Sequence, residues 1–475
     1  MPYEIIIGLE THVRVKSLTK MFDAVPNAVA LEKEPNINVS PVSMGFPGSL
    51  PVLSEGVVDL AVKAACGMKM RVNEFSQFDR KSYFYPDLPM SYQITQLYHP
   101  LAHAGEIQAF VDGEIKTFRI ERMHIEADAG KLTHSPTTTL IDYNRAAAPL
   151  MEIVTEPDFR SKYDVMEYLK ELQKIMRFTG ASDADMEKGQ MRCDVNVSIR
   201  PFGQTEFNPR VEMKNLNSFQ MIGRAIDYEV WRQSEIYDSG GTVDQETRWW
   251  DDEAGMSKSQ RSKEDAMDYR YFPEPDLPPL VLTTTYIEER KADKIPMDRR
   301  LVYLGEYKLS DDDARILSRT RDICDFFDEV VELTWDPKKC STYISDVLMG
   351  YMKETDIEEK FDELKFWPKE FALVITLLQK DELSSNGAQE VLKVLFENWG
   401  DPKKIIEEKW LRQVNDTDLM EKIVDDVIAN NPAQVEEYKA GKQQLFGFFV
   451  GQCMAASKWQ GNPKIFTSIL KDKLS

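Results

Sequence analysis

From Leu9 to Val15 the chain alternates between a charged and an uncharged set. Glu10, His12 and Arg14 fall on one parity, and Leu9, Thr11, Val13 and Val15 on the other. Residues i and i+2 of a β-strand share a face, whereas the same spacing on a helix scatters them around the axis. A carboxylate, an imidazole and a guanidinium therefore stand side by side on one surface of a predicted strand. The period recurs three times. Arg122, His124, Glu126 and Asp128 alternate with Met123, Ile125 and Ala127; Arg192, Asp194, Asn196, Ser198 and Arg200 alternate with Cys193, Val195, Val197 and Ile199; Arg210, Glu212 and Lys214 alternate with Val211 and Met213. Glu152 and Glu156 flank the apolar pair Ile153-Val154. Such a chain builds a sheet with one buried face and one polar face.

For a single strand the plainest reading is a polar face that meets water. Four such faces, holding two of the five histidines together with Asp, Asn, Glu and Arg, favour a site instead. If the faces converge, carboxylates and an imidazole can hold Mg²⁺, while arginines and Lys214 neutralise the oxygens of a transferring phosphoryl group. No phosphate-binding loop of the G-x-x-x-x-G-K-[ST] kind is present, because Ala129-Gly130-Lys131 has Ile125 where the first glycine belongs. The run Asp79-Arg80-Lys81-Ser82-Tyr83-Phe84-Tyr85-Pro86-Asp87 mixes bases with aromatics, as a nucleotide-stacking surface does; aromatic core beside a turn fits it equally. His99, His103 and His134 are expected in exposed loops. Cys193 faces the apolar side of its strand and is read as a buried small hydrophobe rather than a nucleophile.

At 475 residues, two or three domains are expected. Alternating runs broken by Pro and Gly dominate the first part, with a helix predicted over Ser161 to Phe178 and stopped at Gly180. Tyr271 to Pro279 holds too many prolines for a helix and precedes the main boundary. Helical periodicity follows, with a second boundary near Pro402 and Trp410. There Asp416 or Thr417 caps a helix whose apolar face is predicted to carry Leu419, Ile423, Val424 and Val427. Leu445, Phe446, Phe449, Val450, Cys453 and Met454 read as the core stripe of a late helix rather than a cofactor pocket. The start, Met1 to Ile7, carries Glu4 where a signal peptide has basic residues, so a cytoplasmic chain without a membrane span is expected.

Five scattered cysteines with no C-x-x-C spacing imply reduced thiols and no zinc. Eighty acidic against 59 basic residues give a net charge of −21, which opposes non-specific attraction to DNA or RNA backbones. The last forty residues differ: six lysines, among them Lys458, Lys464 and Lys471, stand against three acids.

Nearly end to end, these segments resemble the B subunit of the heterotrimeric GatCAB amidotransferase family. The resemblance is carried by Ile7-Gly8-Leu9-Glu10-Thr11-His12-Val13, Phe78 to Asp87, Asp128-Ala129-Gly130-Lys131, Asp142-Tyr143-Asn144-Arg145, Glu152 to Asp158, Arg192 to Ser198, Lys214 to Phe219, Asp268 to Asp276 and Gly447 to Gln452. It implies an α+β architecture: a mixed or antiparallel-sheet cradle domain over 1–292, a helical domain over 293–402, and a small helical tail domain over 403–475 that contacts tRNA. It further implies ATP and Mg²⁺ as cofactors, two partners in a heterotrimer, namely the amidase and a small third protein, and a misacylated tRNA as substrate. Neither DNA nor a membrane is expected as a partner.

In that reading ATP phosphorylates the side-chain carboxylate of Glu on tRNA(Gln) or Asp on tRNA(Asn), and ammonia from the amidase completes the amide. Glu10, His12, Glu126 and Glu152 match the Mg²⁺ cluster, and Asp194 and Asn196 accompany Glu10, His12 and Glu126 in catalysis. Arg192, Lys214 and Asn215 match ATP or aminoacyl contacts, Lys81 the ammonia route, and Lys458, Lys464 and Lys471 tRNA contacts. Three departures stand out. Ser40-Pro41-Val42-Ser43 stands where some members of that family carry a cysteine pair, which disfavours zinc because hydroxyls are poor ligands for it. Ala127 replaces an acid and Met90 a lysine, a paired loss that leaves no uncompensated buried charge. Two other classes of reading compete: a tRNA-binding scaffold without chemistry, which would not need the acid and imidazole cluster, and a stand-alone metal-dependent hydrolase, which would not need the basic tail.

Overall fold

The computed structural model describes residues 3–27, 34–261, 269–291, 294–355, 360–413, 415–457 and 460–474. The chain divides into two units, Met1–Asp298 and Arg299–Ser475. The first unit is built on a nine-stranded sheet. In chain order its strands are β1 (Tyr3–Arg14), β2 (Arg71–Val72), β3 (Ala102–Val111), β4 (Glu114–Ala127), β5 (Pro149–Thr155), β6 (Met191–Pro201), β7 (Val211–Lys214), β8 (Glu246–Asp251) and β9 (Met256–Arg261). Their spatial order is β9-β8-β7-β6-β1-β5-β4-β3-β2. All pairs are antiparallel except β7 with β8, so the sheet is mixed and the architecture α+β.

Each long strand sends its apolar parity into the core: Leu9, Thr11 and Val13 of β1, Met123 and Ile125 of β4, Met151 and Ile153 of β5, and Cys193, Val195 and Val197 of β6 are all buried. Two long helices cover this face. One, α1 (Lys162–Phe178), is capped where the Ser161 hydroxyl accepts from Asp164 N, packs on β3, and ends before Gly180 at φ +71°. The other, α2 (Phe219–Asp238), is capped by Ser218 and packs on β6. Cys193 is fully enclosed and burial pushes its thiol up to about 12, consistent with a core residue and not a nucleophile.

Three expectations need correction. His103 is not in a loop: it lies half-buried on β3 opposite Arg122, because the strand begins at Ala102. His134 is exposed as expected but sits on a short strand, Lys131–His134. Arg80 is not free for a nucleotide. Its Nε and one Nη donate to Glu274 at 2.7 and 2.8 Å, the same Nη reaches Asp276 at 2.8 Å, and the guanidinium lies 4.2 Å from the Tyr92 ring centroid. A doubly neutralised arginine stacked on an aromatic ties Asp79–Ser82 to the proline-rich segment.

At Ser40 and Ser43 hydroxyls close the turn: Ser40 N donates to Ser43 Oγ at 2.7 Å, Ser43 N to Ser40 Oγ at 3.0 Å, and Ser40 Oγ to Asp23 at 2.6 Å. Ala127 is buried, and its carbonyl accepts from Gln93 Nε2 at 2.8 Å.

The second unit is helical and holds two hydrophobic cores, one spanning Tyr303 to Ile406 and one spanning Met420 to Leu474. Asp416 caps Thr417–Asn430 by accepting from Asp418 N and Leu419 N. Leu419 is 47 % exposed, contrary to its predicted place on the apolar face; the helix turns Met420 inward with Val424 and Val427. Phe449 and Cys453 of Leu445–Ala456 fill the same core, as the late stripe predicts. No helix among the described residues is long and apolar enough to cross a membrane.

Candidate active site

Antiparallel pairing puts directly opposed residues on one face, so register alone assembles a row of side chains. His12 of β1 lies opposite Arg192 of β6 on one side and Glu152 of β5 on the other, and Glu152 in turn lies opposite His124 of β4. The row Arg192, His12, Glu152, His124 thus crosses four strands. One pleat away, Glu10 faces Asp194 of β6. Glu126 comes from the end of β4, two residues past His124, and its Oε2 accepts from Thr95 Oγ1 at 3.0 Å.

The resulting cluster is tight. His12 Nε2 is 3.3 Å from Glu152, 3.6 Å from Glu126 and 3.9 Å from Glu10, and His124 Nε2 is 3.1 Å from Glu152 and 3.5 Å from Glu126. Burial disfavours a charged imidazole at His12, but the hydrogen bond to Glu152 and the charges of Glu126, Glu152 and Glu10 outweigh it and raise its pKa to about 9. His124 rises to about 9 the same way, through Glu126 and Glu152. Burial and the charge of Glu152 push Glu10 above the usual carboxylate range, whereas the imidazoles hold Glu126 and Glu152 below it in spite of their burial.

Three carboxylates crowded around two protonated imidazoles form a place where a divalent cation can take over from protons. Ligand atoms of Glu10, His12 and Glu152 lie within 4.8 Å of one another, as do those of His124, Glu126 and Glu152, so the donor set fits a cation. Of the residues expected there, Glu10, His12, Glu126 and Glu152 come together. His124 belongs with them and was left out of the sequence-based ligand set, although the alternation with Glu126 had put it on the same face.

The accompanying residues surround this cluster. Lys214 Nζ bridges Asp194 at 2.5 Å and Glu212 at 2.9 Å, and despite burial these acids hold its ammonium above the ordinary lysine value. Asn196 sits opposite Gly8 and Glu212, one pleat from the Glu10–Asp194 pair. Asn215, at φ +66°, anchors the turn after β7 by donating to Trp250 O at 2.9 Å. Lys81 lies with its Nζ 4.7 Å from the Tyr269 ring centroid, and the charges around it, with Tyr271 first and Glu126 next, overcome burial and keep it protonated. In the second unit Lys464 pairs with Asp381 at 2.9 Å, Lys471 is exposed on the last helix, and Lys458 lies outside the described residues.

Two cavities open on the cluster from opposite sides. One, of about 780 Å³, is lined by Gly8, Glu10, Asn196, Ser198, Phe207 and Arg210 among others. The other, of about 560 Å³, is lined by His12, Lys81, Tyr83, Glu126, Asp128, Arg192, Asp194, Lys214 and Asn215 among others.

Comparison with known proteins adds a family. The model of the GatB/GatE catalytic domain matches residues 5–288, and that of a second GatB domain matches residues 325–474. The B subunit of the aspartyl/glutamyl-tRNA(Asn/Gln) amidotransferase of Persephonella marina is 44 % identical, with all of both chains covered. Its counterparts in Carboxydothermus hydrogenoformans and Syntrophotalea carbinolica are each 42 % identical, with all of this chain and 99 % of theirs covered.

Proposed function

The chain belongs to the GatB/GatE family, and from that premise we propose that it is the activating component of an ATP-dependent tRNA amidotransferase. Its substrate is Glu-tRNA(Gln), Asp-tRNA(Asn) or both. Its partners are an amidase, which releases ammonia from glutamine, and a small third protein. The observation that carries the reading is the position of the cluster between two cavities: Glu10 lines the larger, His12 and Glu126 line the smaller. A nucleotide in one and an aminoacyl end in the other bring a terminal phosphoryl group and a carboxylate to the same place.

The larger cavity has the size of a nucleotide site. The exposed ring of Phe207 offers a stacking surface for the base, and the guanidiniums of Arg122 and Arg210 offer charge to the phosphates. Glu10, His12, His124, Glu126 and Glu152 would hold Mg²⁺, which when bound supplies charge neutralisation at the transferring phosphoryl group. The substrate carboxylate oxygen attacks the γ-phosphorus and ADP leaves, giving an acyl phosphate. Ammonia then attacks the acyl carbon, phosphate leaves, and the surplus ammonia proton passes to a carboxylate of the cluster. A bare carboxylate does not accept an amine because its leaving group is an oxide; phosphorylation replaces that with phosphate.

Lys81 has a distinct task in this scheme. A lysine kept charged at the cavity wall repels ammonium and admits neutral ammonia, the nucleophilic form. Lys214, Arg192 and Asn215 line the acceptor side, where Lys214 and Asn215 orient the aminoacyl group and Arg192 offers charge to the aminoacylated RNA end. We assign Lys458, Lys464 and Lys471 of the basic tail to the tRNA backbone, where each lysine contributes a salt-dependent increment of affinity.

Amide formation on misacylated tRNA by the complex of this chain with its amidase and small partner tests the reading. The expected result is ATP consumption and amidation that both vanish in His12→Ala. Binding of tRNA with no ATP turnover in the unaltered complex would overturn it.

A further inference from the structure

Next to the cluster lies a guanidinium that no step above uses. Arg14 stands two residues beyond His12 on the same face of β1, about 7 Å along the strand at the usual rise. Among the described residues no hydrogen bond or ion pair reaches its guanidinium, and its Nε is enclosed without a partner. A largely buried charge without a partner is costly. Burial pulls its pKa down, Asp128 opposes that, and Arg145 and Arg192 add to the fall.

Asp128 is already shared. Its Oδ2 is 3.3 Å from Arg145 Nε and 3.9 Å from Arg192 Nη2. Arg145 is otherwise satisfied, donating to the carbonyls of Ala129 at 2.9 Å and Gly130 at 2.7 Å. Among the described residues Arg192 has only the long contact to Asp128, and it is 45 % exposed. Arg14 and Arg192 thus stand on the same face of the sheet, and the charge of Asp128 acts on both. Arg192, Asp128 and Leu150 line the smaller cavity, and Arg14 adjoins that wall as the register partner of Leu150.

We propose that Arg14 and Arg192 form an anion seat that takes a backbone phosphodiester from the 3′-terminal strand of the acceptor RNA. The choice of anion rests on the amidation reading. The nucleotide cavity lies towards Ile6 and Gly8, on the other side of Glu10 and His12, so a nucleotide whose phosphates end at the cluster does not reach Arg14. The reacting carboxylate occupies the cluster itself. What remains anionic on the second substrate is its phosphodiester backbone, and forked guanidiniums suit that group. The seat would fix how far the acceptor strand enters, making Arg14 a positioning residue.

The test uses this chain in complex with its partner proteins and short RNA hairpins that end in the acceptor strand. The last linkages are replaced one at a time by uncharged methylphosphonate, and binding is read by fluorescence anisotropy. One replacement is expected to weaken binding about tenfold in the unaltered complex and less than about twofold in Arg14→Gln, the size of a charge-assisted hydrogen bond lost once. Arg192→Gln, at a half-exposed position, repeats the comparison if Arg14→Gln fails to fold. Equal losses in the unaltered and substituted complexes at every linkage would overturn the seat. Binding does not require turnover, so coupling without amidation would overturn the amidation reading alone, and amidation without coupling would overturn the seat alone.

Discussion

His12 and His124 are each held between carboxylates, and this makes the metal-free chain sensitive to pH in a direction that can be worked out. Both imidazoles titrate at about 9 when folded, above the ordinary 6.5. A raised folded pKa contributes stability that is fully present below about 6.5 and lost as pH rises through about 9. Urea unfolding of the chelator-treated chain should therefore show a midpoint that falls between pH 6.5 and 9, and that fall should flatten in a His12→Asn, His124→Asn double variant; a midpoint that climbs over this range contradicts the assignment. His124→Ala should weaken Mn²⁺ binding, read by calorimetry, by about tenfold or more if His124 supports the cation site. Unchanged affinity would remove it from the ligand set. Ala127→Glu would bury an acid without a partner and should cost about 3 kcal/mol in the same unfolding experiment; an unchanged midpoint would mean that a base reaches that position. The polar parities of β1, β4 and β6 made Glu10, His12, Glu126 and Asp194 legible in the sequence. Which of them touch was not legible, because contact depends on register between strands 140 to 180 residues apart.

Periodicity sets an element and its face, and its weakest point is where two apolar neighbours compete for the same inward position. Leu419 and Met420 are such a pair. The Asp416 cap fixes the first turn of its helix, and the rotation that follows buries Met420 and leaves Leu419 in solvent. Met420→Ala should cost about 2 to 5 kcal/mol of the stability of this helical core, whereas Leu419→Ala should cost less than about 0.5 kcal/mol. Thermal unfolding of the two variants distinguishes them, and the reverse order would restore the sequence-based face. Arg80 shows the same limit for charge. Its carboxylate partners, Glu274 and Asp276, lie nearly two hundred residues away, so the local mixture of bases and aromatics left a nucleotide surface and an aromatic core beside a turn equally open.

At the scale of the molecule, the sheet gathers residues from β1, β4, β5, β6 and β7 around one cation-ready cluster, and two cavities meet there. The α+β class and the passage from a sheet unit to helices were legible from alternation giving way to helical period. The lysine-rich tail was legible only as charge; in the fold Lys464 is already paired with Asp381, so a contact of Lys464 with RNA would come at the expense of that ion pair. If the tail serves RNA binding, replacing Lys464 and Lys471 together by Gln should reduce the salt slope of tRNA binding by roughly two, and an unchanged slope would move the contact elsewhere. The most direct measurement is the reaction itself. The complex of this chain with its amidase and small partner, given glutamine, Mg²⁺, ATP and misacylated Glu-tRNA(Gln) or Asp-tRNA(Asn), is predicted to consume ATP and form the amide, and to lose both in His12→Ala. Amidation that persists in His12→Ala, or tRNA binding without ATP consumption by the unaltered complex, would contradict the placement of the chemistry at this cluster.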